Sequence, residues 1–244
     1  MKDASTSIWD NRELVIFDVD GTLYSQPRLR ARMAMSLLAE AIRSGSFETM
    51  RILRQYRLHR EILADASPGD FVERQFTDTA AACACSRDSV QEIVAEWIER
   101  RPLRHLAACR YSGLEAVFEG LRRSGRAIAV LSDYAAHQKL GVLGLQADFI
   151  VSATDEDVQS LKPDPKGLQK ILRLAGVSSG RALMVGDRFD RDWTAASRVG
   201  MDTIIRCSRA DQRCVTFRSY HDALFAPVLR SSPVAGRMPV GAKS

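Results

Sequence analysis

The sequence predicts an α/β fold, with a Rossmann-like, three-layer parallel sheet core and an inserted all-helical domain. Three observations carry this. Five short runs rich in Val, Ile, Leu and Phe read as strands buried on both faces. Helical patterns alternate with the last four runs, as right-handed crossovers between parallel strands require. Between the first and second runs, residues 25–106 carry helical patterns and no convincing strand.

The strand patterns cover residues 13–17, 127–132, 148–152, 181–185 and 202–207. Helical patterns cover 111–124, 135–143 and 164–175. Gly125, Gly144 and Gly176 follow them, where a C-terminal cap would stand. In the insertion, Val90, Ile93, Val94, Trp97 and Ile98 repeat at i, i+3, i+4, i+7 and i+8, the mark of an amphipathic helix. Ile52, Tyr56 and Leu63 share one helical face, with Arg51, Arg54 and Arg57 directed elsewhere. Ser67-Pro68-Gly69 interrupts the segment, so a bundle of about four helices is expected. Residues 1–24 and 107–225 then form the core and 25–106 the insertion. Residues 226–244, rich in Pro, Gly, Ser and Arg, are expected to be a flexible tail.

The 244 residues are 45% hydrophobic and 27% charged, a globular composition that needs neither disulfide nor metal to hold a core. No apolar run approaches the roughly 20 residues of a membrane-spanning helix. The polar start lacks the apolar stretch of a secretory signal, so a cytoplasmic protein with no membrane partner is expected. Five cysteines, irregularly spaced, read as free thiols in a reducing compartment. Cys83-Ala-Cys85 has no second pair with zinc spacing. The net charge is +5, and arginine supplies 29 of the 35 basic residues. That balance would suit nucleic acid, but there is no binding motif, no run of five basic residues and only 7% aromatic residues. No nucleic-acid partner is expected. The charge reads as an arginine-rich exterior that draws in anionic small molecules.

Ligands of an open parallel sheet bind beyond the carboxyl ends of its strands. After the first strand comes Asp18-Val19-Asp20-Gly21-Thr22, and after the second Ser132-Asp133. Lys162-Pro163-Asp164-Pro165 follows the third, and Gly186-Asp187 through Asp192 the fourth. Two aspartates two apart could divide nucleophilic attack and proton transfer between them. Converging carboxylates repel unless a cation lies between them, and aspartate oxygens suit the hard ion Mg²⁺. A lysine and a hydroxyl beside these acids imply an anion, and a phosphoryl group would satisfy both metal and lysine.

In these residues the sequence resembles the haloacid dehalogenase-like superfamily of Mg²⁺-dependent phosphohydrolases, in particular its small-molecule phosphatases. Asp18–Thr22 matches its first motif, DxDG(T/V); Ser132 the second; Lys162 the third; and Gly186-Asp187 with Asp192 the acidic fourth. The resemblance implies that Asp18 is the nucleophile, forming an aspartyl-phosphate. Asp20 would protonate the leaving oxygen and then activate water. Asp18, the Asp20 backbone carbonyl and Asp187 would hold Mg²⁺, with Asp192 orienting Lys162 or a metal-bound water. Ser132 and Lys162 would bind phosphate, supported by the turn at Gly21 and Thr22. The insertion matches the position of the family's helical cap, which closes over the site and selects the leaving group.

Several alternatives stay open at this level. A phosphomutase or phosphotransferase would pass the phosphoryl group to a sugar hydroxyl, and a non-catalytic binding protein could share the fold. A dehalogenase is disfavoured, because the resemblance suggests that dehalogenases lack the second aspartate, present here as Asp20. Asp190 competes with Asp192 for the last acidic role and could instead cap the following helix. Arg28, Arg32 and Arg54 could meet a second substrate anion or simply face water. Substrate identity and oligomeric state, monomer or homodimer, are not legible.

Overall fold

The computed structural model describes residues 7–66 and 69–231. Six strands form one parallel sheet in the order β3-β2-β1-β4-β5-β6. They are β1 (Leu14–Phe17), β2 (Ala127–Ser132), β3 (Phe149–Ser152), β4 (Ala182–Gly186), β5 (Asp202–Arg206) and β6 (Val215–Phe217). The chain runs outward from β1 to β3, then returns to lay β4 on the other side of β1. The ends of β1 and β4 therefore flank the crevice where strand order reverses, the place such sheets bind ligands.

Alternation along β1 explains the three layers, because successive side chains leave opposite faces. Val15 and Phe17 pack with Leu114, Val117, Phe118 and Leu121 of α6 (Leu114–Arg123) and with Leu140 and Leu143 of α7 (His137–Leu143). Leu14 and Ile16 pack on the other side with Leu168 and Ile171 of α8 (Lys166–Ala175) and Ala195 and Ala196 of α9 (Thr194–Arg198). Gly144 and Gly176 end α7 and α8 at φ 67° and 65°, left-handed values that spare glycine a Cβ clash.

The segment between β1 and β2 is helical. It comprises α1 (Gln26–Ser44), α2 (Glu48–Ala66), α3 (Phe71–Cys83), α4 (Arg87–Val94) with a π-helical continuation over Ala95–Arg100, and α5 (Leu103–Leu106). Ser25 caps α1 by accepting the Arg28 amide, with Pro27 in the first turn. Ile52, Tyr56, Ala80, Cys83, Val90 and Val94 form a small core of their own. Residues 67–68, part of the interruption read from sequence, lie outside the described residues.

Two features differ from the sequence reading. β6 was not read, because three residues at a sheet edge, with Val215 exposed, make no apolar run. The segment from residue 226, expected to be a tail, begins with a packed helix, α10 (Ala226–Leu229). Val228 is fully buried, and the adjoining Phe225 packs against Trp9, Phe217 and Tyr220. Three apolar residues among proline and arginine were enough to dock this turn; residues 232–244 lie outside the described residues. All five cysteines are free, and among the described residues no helix is long and apolar enough to cross a membrane.

α10 meets α6 where Gly120 leaves room: a Cβ there would stand 2.5 Å from the Val228 carbonyl oxygen. Gly120→Ala is expected to cost about 1–3 kcal/mol of stability through overpacking, despite alanine's better helix propensity. Urea denaturation measures it, and an unchanged or raised midpoint would show that α10 does not dock there.

Candidate active site

Asp18, Lys162 and Asp192 leave three different segments at the carboxyl edge of the sheet and meet in its interior, each at most 5% exposed. The Lys162 ammonium bonds Asp18 Oδ1 and, at 2.7 Å, Asp192 Oδ1. Thr22 Oγ1 donates to Asp18 Oδ2 at 2.9 Å. Asp192 Oδ2 accepts the backbone N–H groups of Asp187 and Arg188, both at 3.0 Å, and so fixes the turn after β4. The Lys162 amide in turn donates to Asp133 Oδ1 at 3.2 Å.

Burial would lower the proton affinity of Lys162, but Asp18, Asp192 and Asp133 outweigh it and hold the ammonium charged. Burial drives the Asp18 carboxyl upward; Lys162 opposes this, while Asp192, Asp187 and Asp20 add to the rise. One ammonium therefore leaves the cluster short of positive charge.

Asp187 shows where a second cation would go. Its carboxylate accepts no hydrogen bond and forms no ion pair among the described residues. Burial, then the charge of Asp192, pushes it up to about 7. Asp18, Asp187 and Asp192 offer oxygens within 4.8 Å of one another. Gly21, at φ 102°, lies against Asp187 so closely that a Cβ would overlap its carboxylate. An all-oxygen, unneutralised set of this kind fits Mg²⁺. Asp192, expected from the resemblance to orient Lys162 or a metal-bound water, bonds Lys162 with one oxygen and the turn with the other, and it also belongs to this oxygen set. The Asp20 carboxylate is not part of this set.

Asp20 has a partner the sequence reading missed. Lys139 Nζ bonds its two oxygens at 2.6 and 2.9 Å, and the Tyr24 hydroxyl also donates to Oδ1. Burial would raise Asp20, but the charge and hydrogen bond of Lys139, with Tyr24, hold it below the usual carboxylate range. The signal was present: Ala136, Lys139, Leu140 and Leu143 occupy one face of α7, so Lys139 is a charge on an apolar stripe.

Other expectations change. Ser132 is fully buried, and its Oγ accepts the Tyr134 amide at 3.2 Å; Asp133 and Tyr134, not Ser132, reach the cavity wall. Asp190 is exposed and pairs with Arg188 at 2.5 Å, away from the cluster. Arg191, four residues after Asp187, is buried against Glu61 and Asp65 of α2. Arg28, Arg32 and Arg54 face outward, and the arginines of the insertion that line the cavity are Arg30, Arg57 and Arg60. Arg60 donates to Gln75 and to the Asp133 carbonyl, with its guanidinium 3.8 Å from the Tyr134 ring centre. The cavity, about 660 Å³, has Asp18, Asp20, Lys139, Lys162 and Asp187 at one end and the helices of the insertion opposite.

A family model described as haloacid dehalogenase-like hydrolase matches residues 13–200. The glyceraldehyde 3-phosphate phosphatase of Methanopyrus kandleri is 28% identical over 193 residues, 78% of this chain and 82% of its own. The pyrophosphatase PpaX of Bacillus cereus is 27% identical over 71% of this chain and 73% of its own. The crystal structure of an HAD phosphatase from Thermococcus onnurineus matches with a TM-score of 0.61 at 21% identity, covering 91% of this chain and 100% of that one. At that identity the likeness is one of fold.

The raised Asp187 carboxyl has a consequence for stability. Unfolding returns it to the ordinary value of 3.8 from about 7, so without a cation stability falls as pH rises between these values and levels off above. In chelator-treated protein, Asp187→Asn is expected to be more stable than the unsubstituted chain at about pH 8, with the gap closing towards about pH 4. Thermal melts across that range measure it; a gap that widens on acidification would contradict the assignment.

Proposed function

The chain belongs to the haloacid dehalogenase-like hydrolase family, and we propose that it hydrolyses a small-molecule phosphomonoester through a phosphorylated Asp18. One observation carries this reading: a buried carboxylate, Asp18, held by Lys162 and Thr22 at the floor of a cavity, beside the unpaired Asp187 and the separately held Asp20.

The groups divide the work between them. An Asp18 oxygen attacks phosphorus; both oxygens accept one hydrogen bond and keep a further lone pair. The bond from phosphorus to the leaving oxygen breaks, and Asp20 supplies the proton that makes the alcohol. Asp20 rests ionised on Lys139, and an arriving phosphate places negative charge beside it and raises its proton affinity. In the second half Asp20 takes a proton from water, which attacks phosphorus and frees inorganic phosphate and Asp18. Lys162 offsets charge on the phosphoryl oxygens while Asp192 fixes its position. Asp18, Asp187 and the Asp20 backbone carbonyl would hold Mg²⁺, which supplies further positive charge for those oxygens and relieves carboxylate repulsion.

The helices over residues 25–106 serve in this reading as the cap that excludes water and selects the alcohol. The five free thiols suit a reducing, cytosolic setting.

Asp18→Asn is expected to lower phosphate release by about three orders of magnitude or more, since it removes the nucleophile. Chelation is expected to abolish release and added Mg²⁺ to restore it. Phosphate assay on purified protein reads both, and near-normal turnover by Asp18→Asn would exclude it as nucleophile.

A further inference from the structure

The wall facing the carboxylates is apolar. Leu29, Met33 and Leu37 stand at i, i+4 and i+8 on one face of α1 and line the cavity. Trp97, Leu103 and Leu106 complete that wall from the π-helical turn and α5. The insertion's charged lining residues Arg30, Arg57 and Glu99 are exposed to solvent, and its less exposed polar side chains are engaged. Arg60 is spent on Gln75 and the Asp133 carbonyl, and Glu61 on Arg188 and Arg191. The one amide there, Gln26, accepts from Arg30 at 2.7 Å. Among the described residues lining the cavity, the insertion contributes no serine, threonine, asparagine or histidine.

A polyhydroxylated alcohol would leave its hydroxyls without partners on such a wall, and an unmet buried polar group is costly. A hydrocarbon body loses nothing there and gains by leaving water. We propose that the leaving group of this enzyme is a hydrophobic alcohol, aryl or alkyl, whose body lies against Leu29, Met33, Leu37, Trp97, Leu103 and Leu106. The proposal rests on the phosphatase reading and specifies its substrate class. The relatives' printed names point to glyceraldehyde 3-phosphate and pyrophosphate, both polar.

The test compares kcat/KM for hexyl phosphate and benzyl phosphate with that for glycerol 3-phosphate and 2-phosphoglycolate, with Mg²⁺ present. All four have alkyl leaving groups, which keeps the comparison on binding. The expected result is a preference of about 100-fold for the hydrophobic pair, the worth of a few buried methylenes. Leu37→Gln, at a half-buried wall position, is expected to shrink the hexyl-to-glycerol ratio about tenfold; Leu103→Gln repeats the test at a second position. A polar substrate matching or exceeding both hydrophobic ones, or a ratio that neither substitution moves, would overturn the proposal and leave the phosphatase reading standing. No phosphate release from any of the four would overturn both.

Discussion

Lys162 lies between two carboxylates in the interior of the protein, and much of the structure follows from accommodating it. Taking such charges out of water costs several kcal/mol each, and their attraction repays this only when geometry and further hydrogen bonds are good. Here they are. Asp18 has Thr22 as a second partner, and Asp192 has two backbone amides. β1 delivers Asp18 and β4 delivers the Asp187–Asp192 turn in adjacent positions, with Phe17 opposite Val185 in the sheet. Gly21 and Gly186 sit where a Cβ would run into Asp187 and Asp192 respectively. The packing is thus adjusted around the charges, and their remaining deficit of positive charge is what a divalent ion and a phosphate would use.

The insertion is fastened over this cluster by contacts of two kinds. Near the carboxylates the ties are polar: Arg191 and Arg188 reach Glu61 on α2, and Arg60 reaches back to Asp133 and stacks on Tyr134. Glu61 is half exposed, and ion pairs of that exposure contribute about 1 kcal/mol or less. Farther out the ties are apolar, with Leu29, Met33 and Trp97 packed into the core cluster. In the proposed reaction, the half-exposed Glu61 pairs are the ties a cap could release to admit substrate.

How far the sequence reveals this site depends on what each residue needs. Asp18, Lys162 and Asp187 follow apolar strands, and in a parallel sheet every strand end points to the same edge, so they could be read directly. The strands themselves were legible because burial on both faces leaves little but Val, Ile, Leu and Phe. Lys139 depends on helix phase: it acts only because α7 turns that face towards Asp20. Phase also separates Arg28 and Arg32, which face outward, from Arg30, which lines the cavity. Ser132 closes β2, and its hydroxyl accepts the Tyr134 amide, a contact that the strand pattern alone does not reveal. β6 and α10 were missed because three or four residues carry too little pattern; tertiary packing on Phe225 and Val228 holds them.

In the proposed reaction Asp18 carries the phosphoryl group between substrate and water. Rapid acid quench of Asp20→Asn during turnover of p-nitrophenyl phosphate, followed by mass spectrometry of the peptides, tests it most directly. This leaving group departs without a proton, so the first step proceeds while the second, lacking its base, stalls. The expected result is the mass of one phosphoryl group on the peptide containing Asp18, and on no other. Release of p-nitrophenol without that label, or with the label on another residue, would contradict it.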